Sequence, residues 1–316
     1  MKRLLKLFFA SDVHGSDTCW KKFLRVIEHF KVDIAILGGD LTGKMVIPMV
    51  REGSEYSYEI FGRHIKITAN QLQEESAKIA NSGYYPYPCE KEEIERLNND
   101  PQAQKDLFNR LMVERMQQWM DLASEKFKGK SVLYVSPGND DRLVVDEILE
   151  KSDSVVACEM KLVHLPDGYE MVTCGWVNPT PWKTTREAPD EKLEPMLEGL
   201  MAKAKNYEKL ICNFHAPPYN SGLDTAPRLK DDFSVRVRFG GGVDLAPMGS
   251  KAVRHMIEKY KPLLGLHGHI HESAGFKRFG RTLCVNPGSE YAEGILRGYI
   301  VFLSGDKVQG HWRVAC

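Results

Sequence analysis

The chain has 316 residues, 42% apolar and 27% charged, with Lys plus Arg and Asp plus Glu balanced at 43 each. Such a length can bury a large core and fits one large domain or two ordinary ones. The balanced charge gives no support to a surface built for polyanions, since nucleic-acid binding through phosphate charge calls for a basic excess.

The opening "LLKLFFA" (4–10) reads as a buried strand. Lys6 interrupts the run and "SDVHG" follows at once, so a first strand explains it better than a signal peptide. "VDIAILGG" (32–39) reads as a second strand, and "TCWKKFLRVIEHF" between them sets Trp20, Phe23, Leu24, Ile27 and Phe30 on one helical side. This β-α-β unit predicts a parallel pair. The next clear strand, "SVLYVS", starts at 131, and the interval 45–130 has a different character. Residues 54–68 alternate and turn at Gly62, predicting a hairpin. "QLQEESAKIANSG" predicts a helix stopped by Gly83, and "YYPYPC" an aromatic loop. Asp100 and Pro101 supply the N-cap and first-turn proline of a long helix ending near Gly129. Its apolar stripe, from Phe108 to Phe127, predicts core packing or contact between subunits. The interval reads as a mainly helical insertion into a single domain spanning 1–316, and as the place where a homo-oligomer would form.

Further runs at 170–176, 209–214, 262–266, 281–286, 298–303 and 308–314 read as strands, with helices at about 190–206 and 250–260. Short connections predict antiparallel pairing among the last three. A mixed α/β sandwich follows. Seven cysteines, an odd number without a CxxC pair and several inside apolar runs, predict buried free thiols and a cytoplasmic location. No run approaches the roughly 18 apolar residues of a membrane-spanning helix.

Polar residues follow the apolar runs in a pattern. Asp12 and His14 come after the first strand, Asp40 after the second, and Asn139 and Asp140 of "PGND" after "SVLYVS". His215 follows "KLICNF", and His269 and His271 of "HGHIH" follow "PLLGL". In open α/β sheets ligand crevices form at the carboxyl ends of strands. Residues two apart in extended chain point the same way, so Asp12 with His14, and His269 with His271, can each face one cavity. The mixture of nitrogen and oxygen donors suits Mn, Fe or Zn better than Ca or Mg. Taken singly, each piece is ordinary turn chemistry; taken together and in order, they point to a metal site.

The series D-x-H, G-D, G-N, H and G-H-x-H resembles the calcineurin-like metallophosphoesterases. "FFASDVHGS", "GWVNPTPWKTTRE", "HAPPYNSGLD", "GHIHESAG" and "VNPGS" are similar to its branch of predicted phosphoesterases related to Icc-type phosphodiesterases. The resemblance covers about 1–45 and 131–316. It implies a four-layer α/β/β/α sandwich of two mixed sheets and two divalent transition-metal ions, manganese first. One ion would take Asp12, His14, Asp40 and His271, and the other Asp40, Asn139, His215 and His269, with Asp40 bridging. It implies in-line attack on a small phosphate ester by a hydroxide shared between the ions. Many relatives read GNH where this chain has Asp140. An aspartate serves as a general acid near pH 7 only if its pKa is strongly raised. The departure favours diesters over monoesters. A phosphomonoesterase or protein phosphatase, or a scaffold on the same fold, are the alternatives.

Other features carry a plainer expectation. Arg228, Arg236 and Arg238 read as solvated charge rather than a phosphate grip. His267 reads as structural. "GYYPYP" fits surface packing as well as stacking on a base. No pattern identifies the substrate-binding side chains.

Overall fold

The computed structural model describes residues 4–130 and 132–316. Ser131, which opens "SVLYVS", and residues 1–3 lie outside them. The chain begins with the expected unit: β1 (Leu5–Ala10), α1 (Asp17–Phe30) and β2 (Ile34–Gly38), with β1 and β2 parallel from Leu7↔Ile34 to Ala10↔Leu37. The Ser16 side chain caps α1 by accepting from the Cys19 N–H, and Lys31 ends it in a left-handed conformation.

The interval that the sequence reads as an insertion follows as β3 (Val46–Glu52), β4 (Glu55–Ile60), β5 (Arg63–Thr68), α2 (Leu72–Asn81), β6 (Tyr85–Cys89), α3 (Lys91–Asn98) and α4 (Pro101–Phe127). Helices hold most of its ordered residues, and it also builds its own sheet, in the order β5-β4-β3-β6. The hairpin β4/β5 stands where the alternation places it. "YYPYPC" is not a loop: Tyr85–Cys89 pairs in parallel with Val46–Val50. Pro86 and Pro88 hid the strand, and they are tolerated because β6 is an edge strand, where a missing N–H costs no ladder bond.

The remaining elements are β7 (Leu133–Ser136), α5 (Val144–Lys151), β8 (Val156–Ala157), β9 (Leu162–His164), β10 (Glu170–Cys174), α6 (Asp190–Met201), β11 (Leu210–Phe214), β12 (Thr225–Pro227), β13 (Leu245–Pro247), α7 (Lys251–Tyr260), β14 (Leu264–Leu266), β15 (Gly275–Phe279), β16 (Thr282–Asn286), β17 (Arg297–Ser304) and β18 (Lys307–Ala315). Two six-stranded mixed sheets result, β18-β17-β1-β2-β7-β8 and β15-β16-β14-β11-β10-β9. The last three apolar runs do not all pair with one another. β17 and β18 are antiparallel, but β16 joins the other sheet, parallel to β14 and antiparallel to β15. Its true hairpin partner, β15, is exposed through its middle and has Lys277 and Arg278 between its two phenylalanines, so its sequence carried no apolar run.

Side-chain alternation on central strands builds the layers. Along β1, Leu5, Leu7 and Phe9 face the second sheet, where they meet Met171, Ile211 and Leu264. Phe8 and Ala10 face the helices α1, α4 and α5. The second sheet buries its outer face, including Val172 and Cys212, against α6 and α7. Strands covered on both faces read as continuous apolar runs. This is the four-layer α/β/β/α sandwich that the resemblance implies. The stripe of α4, including Met112, Met116, Trp119 and Phe127, is buried in the first helix layer, where Trp119 stacks on Trp20 at 5.1 Å. All seven cysteines are free, five of them buried. Among the described residues no helix is long and apolar enough to cross a membrane.

Candidate metal centre

Strands β1, β2 and β7 run parallel, as do β11 and β14, so the loops after them gather at one edge of the sandwich. The backbone fixes them there. The Asp12 N–H donates to Gly39 O and the His14 N–H to Asp40 O, both at 2.9 Å. Asp12, His14, Asp40 and His269 adopt φ of 57°, 39°, 51° and 68°. Non-glycine residues there cost of order 1–3 kcal/mol each, and such strain persists only where surrounding structure holds it. Gly138 makes room: a Cβ on it would lie 2.9 Å from His215 Nε2 and 2.5 Å from the Asp40 amide.

All seven candidate ligands come together. Asp12, His14 and His271 form one group, and Asp40, His215 and His269 a second, with the ligand atoms of each within 4.8 Å of one another. Asn139 joins Asp40, His269 and His271 in lining the same cleft. Asp40 lies between the groups, its Oδ2 being 3.7 Å from His14 Nε2 and 3.4 Å from His215 Nε2. His14 Nε2 and His271 Nε2 are 3.1 Å apart.

The donor set fits divalent cations on a direct observation. His14 Nδ1, Asn139 Oδ1 and His215 Nε2 are buried without a hydrogen-bond partner, whereas buried polar atoms are ordinarily satisfied. His215 Nδ1 sits 3.1 Å from Gly38 O, which can only accept. The proton therefore belongs on Nδ1 and the lone pair on Nε2, as a metal-binding imidazole requires. Asn139 donates through Nδ2 to Thr184 Oγ1 at 2.9 Å, leaving its carbonyl oxygen free.

The charges are strongly coupled. Burial alone would raise the Asp12 and Asp40 carboxyls, but His215 and the other neighbouring imidazoles hold both below the usual range. Burial opposes the proton on His215, yet Asp40 and Asp12 raise it to about 9. His269 is pushed down to about 4, first by burial and then by His215. Asp140 is raised by burial and by Asp40, against the pull of Lys44.

Asp140 lies at the cleft wall, with its carboxylate 2.9 Å from Lys44 Nζ and its backbone N–H donating to Asp40 Oδ1 at 3.0 Å. Lys44 stands at the start of the insertion and was not visible as a site residue, because nothing in "TGKMV" marks it. The cleft, about 450 Å³, is also walled by Arg142 and Trp182.

Segments that carried only the family resemblance have physical tasks. In "NPTPWKTTRE", the Thr185 and Arg186 N–H groups donate to Asn139 O at 3.0 and 3.3 Å. Glu187 accepts from Thr184 Oγ1 at 2.6 Å and so fixes the partner of the Asn139 side chain. The buried Arg186 guanidinium bonds Asp141 O and Asp146. In "VNPGS", Asn286 Nδ2 donates to Ile270 O at 3.0 Å and Ser289 Oγ to Asp12 O at 2.6 Å, tying the HGHIH loop to the first strand end. Asp141 accepts from Thr42 N at 2.8 Å and Gly138 N at 2.8 Å, joining the second and third loops.

The remaining candidates fall outside. His267 is buried, with Nδ1 2.8 Å from Phe214 O and 3.0 Å from Ala216 O, a structural arrangement. Arg228, Arg236 and Arg238 surround Asp244 on an exposed loop. Tyr85 of "GYYPYP" is buried, its hydroxyl accepting from Gly43 N at 2.9 Å.

No protein-family model matches the chain. The uncharacterized protein MJ1162 of Methanocaldococcus jannaschii is 29% identical over 153 residues, which are 48% of this chain and 61% of that protein. One solved structure aligns over 99% of both chains with a TM-score of 0.56 and 17% identity. TT1561 of Thermus thermophilus aligns over 97% of this chain and 98% of its own, with a TM-score of 0.51 and 14% identity. At these identities the likeness is one of fold.

Proposed function

We propose that the chain is a dinuclear metal-dependent phosphoesterase that prefers phosphodiesters and acts on a small phosphate ester. The observation that carries this reading is the meeting of seven nitrogen and oxygen donors from five strand ends, three of them with buried atoms that lack a partner. Asp12, His14, Asp40 and His271 would hold one ion, and Asp40, Asn139, His215 and His269 the other. When bound, a pair of divalent transition metals, manganese first and iron or zinc next, supplies hydroxide near neutral pH and positive charge at the phosphoryl oxygens for in-line displacement.

The chain's own residues do the rest. The strand-end loops hold the ligands rigidly through the backbone bonds described above. Lys44 places an ammonium at the cleft wall, where it neutralises a phosphate oxygen. Asp140 orients that ammonium through their 2.9 Å pair. No histidine stands beside Asn139 to protonate a poor leaving group, which favours diesters and substrates whose leaving group needs little help. Free thiols throughout the chain fit a reducing cytoplasm.

The test is metal content and turnover of purified protein. Near two transition-metal ions per chain and hydrolysis of bis(p-nitrophenyl) phosphate with Mn²⁺ are expected. A strong preference for p-nitrophenyl phosphate would select the monoesterase alternative. Absence of hydrolysis with Mn, Fe, Zn and Co alike would reject the enzyme reading.

A further inference from the structure

The insertion gives the candidate site a second compartment. Along β3, Ile47 and Met49 are buried in the insertion's own core, while Val46 and Pro48 alternate to the other side. There they face Ile94 of α3 and Leu107 and Phe108 of α4 across a cleft of about 560 Å³. Three cationic side chains line it, Lys44, Lys105 and Arg142, and no carboxylate does. The metal cleft is different in kind, since Asp40, Asp140 and Glu272 line it. The two clefts share Lys44, Phe108 and Arg142, so they adjoin across that ridge. Arg142 is held on the ridge, its guanidinium 4.5 Å over the Phe108 ring and bonded to Asn109 Oδ1. Among the described residues Lys105 makes no ion pair within 4 Å, so its charge is available.

We infer that this compartment takes the second substituent of a phosphodiester substrate, an apolar body that carries its own negative charge. The inference rests on the phosphoesterase reading. Apolar walls remove the body from water, and Lys105 and Arg142, neither of them paired with a carboxylate among the described residues, select an anion. A methyl or other small neutral ester would leave the compartment empty. Nucleoside phosphates and acidic alkyl compounds share this chemistry.

The first arm of the test uses two diesters with the same p-nitrophenyl leaving group, one with methyl and one with 4-carboxyphenyl as the other substituent. On the Mn²⁺-loaded protein, the carboxyphenyl diester should show a KM about tenfold lower. Ile94→Glu and Lys105→Glu should each erase most of that advantage while kcat/KM for the methyl diester stays within about twofold. Lys105 is exposed, so its variant stays folded even if the half-buried Ile94 is less tolerant.

The second arm needs no turnover. 8-Anilinonaphthalene-1-sulfonate, an aromatic body with one anionic group, is titrated into metal-free protein. Its affinity should fall about fivefold in either cleft variant and be unchanged in Phe239→Asp, an exposed residue outside the cleft. Displacement of the dye by adenosine monophosphate or by octyl phosphate would each support the compartment, and which one displaces better identifies the source. Equal KM for the two diesters, or dye binding indifferent to both cleft variants, overturns the inference and leaves the hydrolase reading standing. Cleft-dependent dye binding without hydrolysis of either diester with Mn, Fe, Zn or Co keeps the compartment as an anion site and rejects the hydrolase reading instead.

Discussion

Gly138→Ala offers the sharpest perturbation of the candidate centre. The residue is not held at positive φ, so alanine meets no backbone penalty there and the effect is one of space. The added Cβ would stand 2.5 Å from Asp40 N and 2.9 Å from His215 Nε2, and closer still to Asp40 Oδ1. Reaching an ordinary contact of 3.4 Å takes a shift approaching 1 Å in Asp40, the loop carrying Asn139, or both. Overpacking of this kind costs about 1–3 kcal/mol, against a total stability of about 5–15 kcal/mol, so the variant should fold. A displacement near 1 Å in a reacting geometry is worth about 100-fold in rate. Metal content by elemental analysis, thermal melting and kcat/KM on bis(p-nitrophenyl) phosphate measure the three consequences. Gly199→Ala is the control: it lies inside α6 with nothing within 4 Å of its Cβ, and should stabilise by about 0.5–1 kcal/mol without touching activity. Wild-type metal content and kcat/KM within twofold in Gly138→Ala would refute the close packing on which the site depends.

Asn139→Ala should keep its melting temperature within a few degrees and lose turnover by at least about 100-fold; equal turnover would remove Asn139 from the site. In the metal-free protein His215 titrates near 9, because Asp40 and Asp12 outweigh the effect of burial. A cation needs the neutral ring, so metal affinity should fall as pH drops below about 9, by up to tenfold per unit from this group; chelator competition at several pH values checks it, and a flat profile contradicts it. Glu159 is half-buried, but its carboxyl faces inward, with Oε1 lacking a partner and Oε2 accepting from Gly175 N at 2.8 Å. Burial raises it to about 8, with Arg186 opposing. A folded-state pKa above the unfolded one means stability is fully present below about 4.5 and lost as pH climbs to 8. Glu159→Gln should therefore melt higher than wild type at pH 8, by the equivalent of about 4 kcal/mol, and at the same temperature as wild type at pH 4.5; no gain at pH 8 would show that the carboxylate is satisfied.

The ligand loops were legible because each follows a strand buried on both faces, whose unbroken apolar run ends abruptly in a polar residue. Asp12 and His269 stand out for this reason. Lys44 did not, since its role comes from the tertiary approach of Asp140, which lies far along the chain. Asp141 was equally silent, because a carboxylate that accepts backbone N–H groups looks like any loop acid. β6 was missed because its prolines disguised an edge strand, and β15 because an exposed edge strand need not be apolar. The pairing of β16 was misread because connection length says which strands are near in sequence, not which sheet they enter.

The stacking of Trp119 on Trp20 fixes where this chain can be shortened. A deletion of the whole 45–130 interval would strip α4 from the first helix layer and lay bare the face of the sheet beneath it. A cut confined to 46–98 would leave α4 in that layer and remove from it only Tyr85 and the flanking Val46. It would also separate two duties now carried by one stretch of sequence, walling the cleft beside the candidate metal centre and completing the hydrophobic interior.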